Sequence, residues 1–537
     1  MPSYSASHPD PAAVLELVDS GRSEGHHRLS SSRTRLIRLL ATLSLPLVAI
    51  LTCLPALGSW CALTPDGVNY LSIARTLRET HHFPAEAMKC PPGFPVLLAP
   101  LMILGDTPFL AIRLLFVLCL AITSLITYRL YFRDMGTTAA WIAGVLVATS
   151  SVLFMQATVV LSEMAFLPLS LGVLLFVMRW DRERILGPAH LGWIEICAGG
   201  LLSGVTVLVR SMGITLVPVA MIVLLSDRRR LRRHRWTRVG LYLLSAIAPL
   251  VAWEIRQSAW PPRYSNMNVW TTAREVEHTD ATGPALQLQR LARWGPQRLD
   301  DLKAAIVPNR LGWRLFQAPL DRASTWLIGG FFVALSLFRV VRDRSAIDTY
   351  CLLTLVMLAF WPWNEGVRLL IPLLPILIGN VLWLADRLWR LSGVRAWQRC
   401  GIVCFVGLMI LGYAGERIAA GNSLVIHHEK AERRIAAMHA LADGLLAEAS
   451  NPVRRLGITP DGHNDKLLLA GAGYLARRPI HDYIDVHSTL PDVPEIDGLC
   501  DVFVHRSLMD RVTARWGWRP VKTCGAFELC RPAANAR

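Results

Sequence analysis

Residues 36–57 read LIRLLATLSLPLVAILTCLPAL, and Thr64-Pro65-Asp66-Gly67-Val68-Asn69-Tyr70 follows shortly after. About 20 predominantly apolar residues suffice to cross the ~30 Å hydrocarbon layer of a bilayer, so the first stretch has the length of a span. Asp66 then stands at the membrane surface on the far side. Pro65 and Gly67 mark a turn, and Val68, Leu71, Ala74 and Leu77 form an apolar stripe behind it, so a helix opens here and lies along that surface.

Similar apolar runs recur along the chain. Its 537 residues are 53% hydrophobic, with a mean hydropathy of +0.37. This is the composition of a polytopic membrane protein. The net charge of +16 does not point to nucleic acid, because the basic residues cluster between the apolar runs, as they do in cytoplasmic loops.

Charge sets the expected topology. Arg33, Arg35 and Arg38 hold the N-terminus in the cytoplasm, and residues 1–34 read as a polar cytoplasmic tail with no signal-peptide cleavage site. A first outer loop, 58–107, leads to a span near 109–131 that ends at Arg129 and Arg133. Residues 137–178 are apolar and broken at Ser162-Glu163, with basic residues on both flanks. An even number of crossings is required, so this is a hairpin with Glu163 at its outer turn. The same argument divides 194–225 at Arg210-Ser211-Met212-Gly213. A seventh span, 239–256, opens a second outer loop, 257–323, which contains an amphipathic piece near Leu286–Trp294. An eighth span returns to Arg339, Arg342 and Arg344. The ninth and tenth, 346–361 and 367–386, turn at residues 361–368. The eleventh is 400–416.

The expected fold is therefore an all-α membrane bundle of about 11 spans over 35–416, followed by a small extracytoplasmic α/β domain, 417–537. Within that domain, helical stretches near 428–449 and 464–476 alternate with strand-like runs at Val453–Thr459, Asp501–His505 and Thr523–Leu529.

Asp66, Lys89, Glu163, Arg210 and Arg368 all fall on the outer face. Charges at span ends are costly and usually functional. Three cations on the face that normally avoids them suggest an anion there. Each also has a plain structural reading: Asp66 as a helix cap, Glu163 as a first-turn acid, Arg368 paired with Glu365, Arg210 snorkelling and Lys89 as a loop lysine. His81-His82 reads as solvated rather than as a metal site. The eleven cysteines show no zinc spacing. Pairing of Cys61 with Cys90, or among Cys500, Cys524 and Cys530, is left open.

Taken in order, these elements resemble GT-C glycosyltransferases, closest to the protein mannosyltransferase and aminoarabinose transferase branch. Asp66-Gly67-x-x-Tyr70 looks like the family's first outer loop, and Lys89-Cys90-Pro91-Pro92-Gly93 like its Lys-Pro-Pro element with one residue inserted. Leu161-Ser162-Glu163 is similar to the second-loop acidic motif. Gly200–Gly204 running to Arg210, and Arg368–Pro375, resemble further stretches of the superfamily.

The resemblance implies transfer of a single sugar from a polyprenyl phosphate to an acceptor hydroxyl of a lipid, glycan or protein, with inversion. Asp66 would be the general base. Arg368, then Lys89 and Arg210, would hold the donor phosphate, while Glu163 and Tyr70 would position acceptor or sugar. The first loop lacks the family's second carboxylate, since Gly67 follows Asp66, so a divalent metal is not supported and no cofactor is expected. The alternative is a transporter or flippase, which predicts internal repeats and mid-span polar residues. An oligosaccharide polymerase or ligase is a third class. The absence of Asn-x-Ser/Thr sequons favours a bacterial cytoplasmic membrane.

Overall fold

A computed structural model describes residues 27–57, 64–84, 91–105, 108–186, 192–226, 232–258, 283–306, 318–361, 366–390 and 396–426. Toward the C-terminus it describes 454–459, 482–485, 500–516, 519–524 and 527–531. The helices begin with α1 (His27–Leu57), α2 (Pro65–Thr80), α3 (Gly93–Leu98), α4 (Phe109–Thr149), α5 (Ser151–Ala157), α6 (Glu163–Leu186) and α7 (Trp193–Val209). They continue with α8 (Leu216–Leu225), α9 (Arg232–Ser258), α10 (Gly283–Ile306), α11 (Ala318–Asp343), α12 (Ala346–Ala359), α13 (Leu374–Arg390) and α14 (Ala396–Ile426).

Among the described residues, six helices are long and apolar enough to cross a membrane, and shorter apolar helices accompany them. Helices suit this composition because lipid offers no hydrogen bonds, so each backbone group must be satisfied within its own segment. Leu36, Leu39, Leu43 and Leu47 of α1 are exposed, while Leu45, Ala49 and Cys53 face the core.

The 41-residue α4 is two arms. Gly136 breaks it with φ 79° and ψ −179°, a conformation that glycine adopts without Cβ strain. Ser124 Oγ donates to the Gly144 carbonyl at 2.8 Å. A straight helix would separate those residues by roughly 30 Å, so the chain reverses at Gly136. This is the boundary expected between the spans at 109–131 and 137–178. The break predicted at Arg210 is also present. Helix α7 stops at Val209 and a 3-10 turn, Ser211–Thr215, leads into α8. The amphipathic piece at Leu286–Trp294 belongs to the longer α10, which runs through Pro296.

Contacts define two ends of the bundle. At one end, Thr52 bonds to Ala148, Ser151 to Glu416 and Tyr413 to Ile306. At the other, Arg390 donates to the Met135 carbonyl beside the Gly136 reversal. There Arg339 is buried on Asn380 and Asp348, and Tyr131 donates to Asn380 at 2.8 Å.

Small residues allow the closest helix approach. A Cβ on Gly200 would lie 2.5 Å from the Tyr242 carbonyl oxygen, and one on Gly204 would lie 2.3 Å from that of Ala246. Tyr242 closes the contact by donating to Ser203 Oγ at 2.8 Å. Helices α7 and α9 thus meet along a small-xxx-small face, the arrangement that lets apolar helices associate in lipid.

In the C-terminal region five strands form one sheet in the order β2-β1-β3-β5-β4: β1 (Arg454–Thr459), β2 (Asp482–Asp485), β3 (Cys500–His505), β4 (Arg519–Cys524) and β5 (Phe527–Arg531). The first three are parallel and the last two join antiparallel. The expected strand at Thr523–Leu529 instead spans the connection of the β4–β5 hairpin. Its apolar residues belong to two strands that fold back on each other. The expected helices at 428–449 and 464–476 lie outside the described residues.

Replacing Gly204 by Val should force α7 off α9, because the obstructing atom is backbone. We expect a loss of about 2 kcal/mol or more, of the size seen for overpacked cores. It would appear as a lower thermal midpoint in detergent, with Gly240→Ala as the harmless control, since a Cβ there meets nothing within 4 Å.

Candidate active site

Four segments that end on one side of the bundle build the site. The first is the start of α2. Thr64 caps it, its Oγ1 accepting from the Gly67 amide at 3.0 Å, and Pro65 occupies the first turn, where a missing N–H costs nothing. Asp66 is therefore not spent on capping. It gains from the helix dipole, and its carboxylate is left for other partners. Gly67 seats this turn against the segment preceding α6, for a Cβ would lie 2.7 Å from the Val160 carbonyl oxygen.

The second segment is the start of α6, whose first residue is Glu163. The third is Arg210, in extended conformation between α7 and the 3-10 turn. Gly93 at the start of α3 presses on the neighbouring Leu208–Val209 backbone, where a Cβ would lie 2.8 Å away. The Pro-Pro-Gly element thus seats the first-loop chain beside Arg210. The fourth is the 3-10 helix Gly366–Leu373. It opens on Gly366 at φ 59° and carries Arg368.

The four charges form one chain. Arg210 Nη1 lies 2.8 Å from Glu163 Oε1. Arg368 Nε donates to the same oxygen, and Arg368 Nη1 donates to Asp66 Oδ2 at 3.1 Å. Arg210 also donates to Ser162 Oγ at 3.3 Å. Side-chain exposure rises from Glu163 at 0% through Arg368 at 22% to Asp66 at 49%, while Arg210, on the other side of Glu163, is 11% exposed. Glu163 is thus an internal brace for two arginines, while Asp66 faces the opening. Removing one partner of such a buried pair costs about 3–5 kcal/mol, because the remaining charge is left uncompensated.

The structure brings together Asp66, Glu163, Arg210 and Arg368. Lys89 lies outside the described residues, as do Cys61, Cys90 and Glu365. Tyr70 is buried, its ring edge-on to Phe94 at 5.0 Å, so it ties α2 to α3. His81 ends α2 in the left-handed conformation (φ 57°) and is exposed with His82, which gives the pair a turn role. Among the described residues no three of His, Cys, Asp and Glu group as metal ligands.

Sequence reasoning missed Arg256. It donates to the Phe83 carbonyl at 3.1 Å and lies over the Phe83 and Trp253 rings, clamping the end of the first-loop helix to α9. The signal was present, since Arg256 is another arginine at the end of an apolar run, 239–256.

Residues 89–253 match the family model described as dolichyl-phosphate-mannose-protein mannosyltransferase. No curated protein sequence matches the chain. Among solved structures, the chain is similar to ArnT from Cupriavidus metallidurans bound to undecaprenyl phosphate. The TM-score is 0.56 and the identity 15%, over 92% of this chain and 98% of that one. The apo state of ArnT gives 0.54 at 14%, over the same shares. The oligosaccharyltransferase AglB from Archaeoglobus fulgidus, in complex with an inhibitory peptide and a dolichol-phosphate, gives 0.50 at 11%, over 93% and 74%. At such identities the likeness is one of fold. By fold the chain is similar to ArnT and AglB, and its four charged residues gather on one side of a helical bundle. The likeness to the family model is carried by residues 89–253, less than a third of the chain.

Gly67→Ala should displace Asp66 from the cluster without exposing any core. Geometry errors near 1 Å cost roughly 10²-fold in rate, so we expect transfer to fall by at least 10-fold, with a lower thermal midpoint from the backbone clash, about 1–3 kcal/mol. Glu163→Gln should lower both transfer and thermal midpoint, because two arginines then share a neutral amide.

Proposed function

We propose that the enzyme moves one sugar from a polyprenyl-phosphate carrier to an acceptor hydroxyl at the outer membrane surface, with inversion at the sugar carbon. The observation that carries this reading is that Arg368 holds a buried carboxylate, Glu163, with one nitrogen and an open carboxylate, Asp66, with another.

The chemistry follows from charge. The donor is a phosphodiester with one negative charge. The acceptor oxygen attacks the sugar carbon as the carbon–oxygen bond to phosphate breaks, and the departing phosphomonoester gains a second charge. Cations fixed at that oxygen stabilise the transition state more than the ground state. Arg368 and Arg210 supply them, and the planar guanidinium fork matches phosphate geometry. Lys89, expected in the same loop, is proposed as a further phosphate contact. Glu163 holds both arginines in place, and its full burial puts it behind them rather than against the acceptor.

The incoming phosphate replaces Asp66 as the outer partner of Arg368. Asp66 is then free to accept the acceptor proton as general base. Tyr70, one helical turn after Asp66, fixes the helix that carries it. On this reading the site end of the bundle is outside, and so is the chain beyond α14, because Glu416 near its end bonds Ser151 at that end. The N-terminus is cytoplasmic and the membrane is a bacterial cytoplasmic membrane.

Asp66→Asn should cut transfer from a polyprenyl-phosphate-sugar by about 10²–10⁴-fold while leaving undecaprenyl phosphate binding intact. Full-rate transfer by the folded variant removes Asp66 as base. Arg368→Ala should weaken undecaprenyl phosphate binding by at least 10-fold, with Arg368→Lys between, charged-group hydrogen bonds being worth about 1.5–3 kcal/mol. Unchanged affinity removes the donor role of Arg368.

A further inference from the structure

Helix α10 carries a buried ion pair that the reaction described above does not use. Leu286, Arg290, Trp294, Arg298, Leu302 and Ile306 share its buried face, as the i, i+4 spacing of a helix requires. Two of the charged groups on the buried side are partners: Arg298 Nη1 lies 2.9 Å from Asp301 Oδ2, with side-chain exposures of 4% and 10%. Charged residues are rarely buried so deeply in an otherwise apolar face without a specific task.

What the pair touches is the turn that delivers Arg368. Arg298 Nε donates to the Leu358 carbonyl at 3.3 Å, at the end of α12. Asp301 Oδ1 lies 4.0 Å from the place a Cβ on Gly366 would occupy, where the 3-10 helix begins. The pair thus bonds the end of α12 through Arg298 and sets Asp301 beside the start of the 3-10 helix at Gly366. Gly366 itself is left-handed at φ 59°, a conformation that aims the helix and that a Cβ disfavours. Arg368 follows two residues later.

The strut is itself pinned. Lys303 Nζ donates to Thr325 Oγ1, and Thr325 Oγ1 donates to Asp300 Oδ1, both at 2.9 Å. Leu299 sits on Gly329 of α11, where a Cβ would lie 2.8 Å from the Leu299 carbonyl oxygen. Tyr413 of α14 donates to the Ile306 carbonyl at 3.0 Å. Burial alone would raise the Asp300 carboxyl, but the bonds from Lys303 and Thr325 outweigh it and hold its pKa below the ordinary value. Helix α10 therefore lies against α11, α12 and α14 as a fixed reference for the site.

We infer that Arg298 and Asp301 are positioning residues for Arg368: the ion pair sets where the guanidinium meets the donor phosphate. The inference rests on the reading above that Arg368 binds that phosphate. It assigns to the second outer loop a direct part in donor recognition, through Gly366 and not through contact with the carrier.

A double-mutant cycle in the full-length protein in detergent tests this. The probes are undecaprenyl phosphate and undecaprenol, which differ only in the phosphate. Asp301→Asn, Arg298→Lys and Gly366→Ala are each made alone and with Arg368→Ala, and Gly366→Asn serves as the variant that tolerates the left-handed turn. Coupling between residues in one network is commonly worth about 10-fold. We expect each of the first three to weaken undecaprenyl phosphate binding by roughly that factor, leave undecaprenol binding unchanged, and lose its effect once Arg368 is Ala. Gly366→Asn should retain most of the affinity, so the test survives even if the ion-pair variants fold poorly. Effects that persist undiminished beside Arg368→Ala, or that strike undecaprenol equally, overturn the positioning role and leave the donor role of Arg368 intact. If Arg368→Ala alone leaves undecaprenyl phosphate affinity unchanged, the donor reading itself falls, and this inference with it.

Discussion

The guanidinium of Arg368 is shared between two carboxylates of opposite circumstance, and the rest of the molecule is arranged to make that sharing possible. Glu163 is wholly buried and has no access to water. An ion in such a place is tolerated only with partners in good geometry. Arg210 and Arg368 supply them from two other segments, 48 and 205 residues away in the case of the Ser162 and Glu163 contacts. Asp66 joins from a fourth segment, 302 residues from Arg368. Closing loops of that length is entropically costly, and the bundle meets the cost by packing helices whose ends lie at a common level.

Backbone contact, more than side-chain complementarity, sets the spacing of those ends. Gly67 lets α2 rest on Val160, Gly93 lets α3 rest on the end of α7, and Gly200 and Gly204 let α7 rest on α9. In lipid, apolar surface gains nothing from leaving water, so close packing and interhelical hydrogen bonds carry the association. The result is a rigid frame in which a one-atom change at a glycine moves a charged group elsewhere. The Arg256 clamp on Phe83 and the α10 strut act on the same frame from outside.

A second charged cluster at the far end of the bundle parallels the first. Arg339, Asp348, Asn380 and Tyr131 are as tightly bonded as the site residues and lie beneath Trp383, with Asp348 and Tyr131 fully buried. Exposure there also rises, from 0% at Asp348 through 3% at Arg339 to 36% at Asp134, and the network joins four helices across the reversal at Gly136. The site differs in holding two arginines on one buried acid, Glu163, with its outer acid, Asp66, half exposed at 49%.

Much of this was legible in the residues alone. The reversal between the second and third spans, the break at Arg210 and the helix start at Glu163 all follow from the alternation of apolar runs with basic flanks. A membrane permits few ways to place a charge, and so the order of charges reports the path of the chain. The candidate site residues emerged for the same reason, since arginines on the wrong face have to be explained. What remained ambiguous was local: Asp66 read equally well as a cap until Thr64 was seen to do that work, and Thr523–Leu529 read as one strand because a hairpin of two short apolar runs has the same pattern as a single long one.

The sequence by itself determined that the chain is a membrane helical bundle and which charged groups had to find one another, because hydropathy and charge are properties of single residues and their neighbours. Only the tertiary structure decided how those groups divide their roles. That Glu163 is a buried brace, that Asp66 is the open acid, and that Arg298 bonds the end of α12 depend on distances between residues tens to hundreds of positions apart, which no local pattern records.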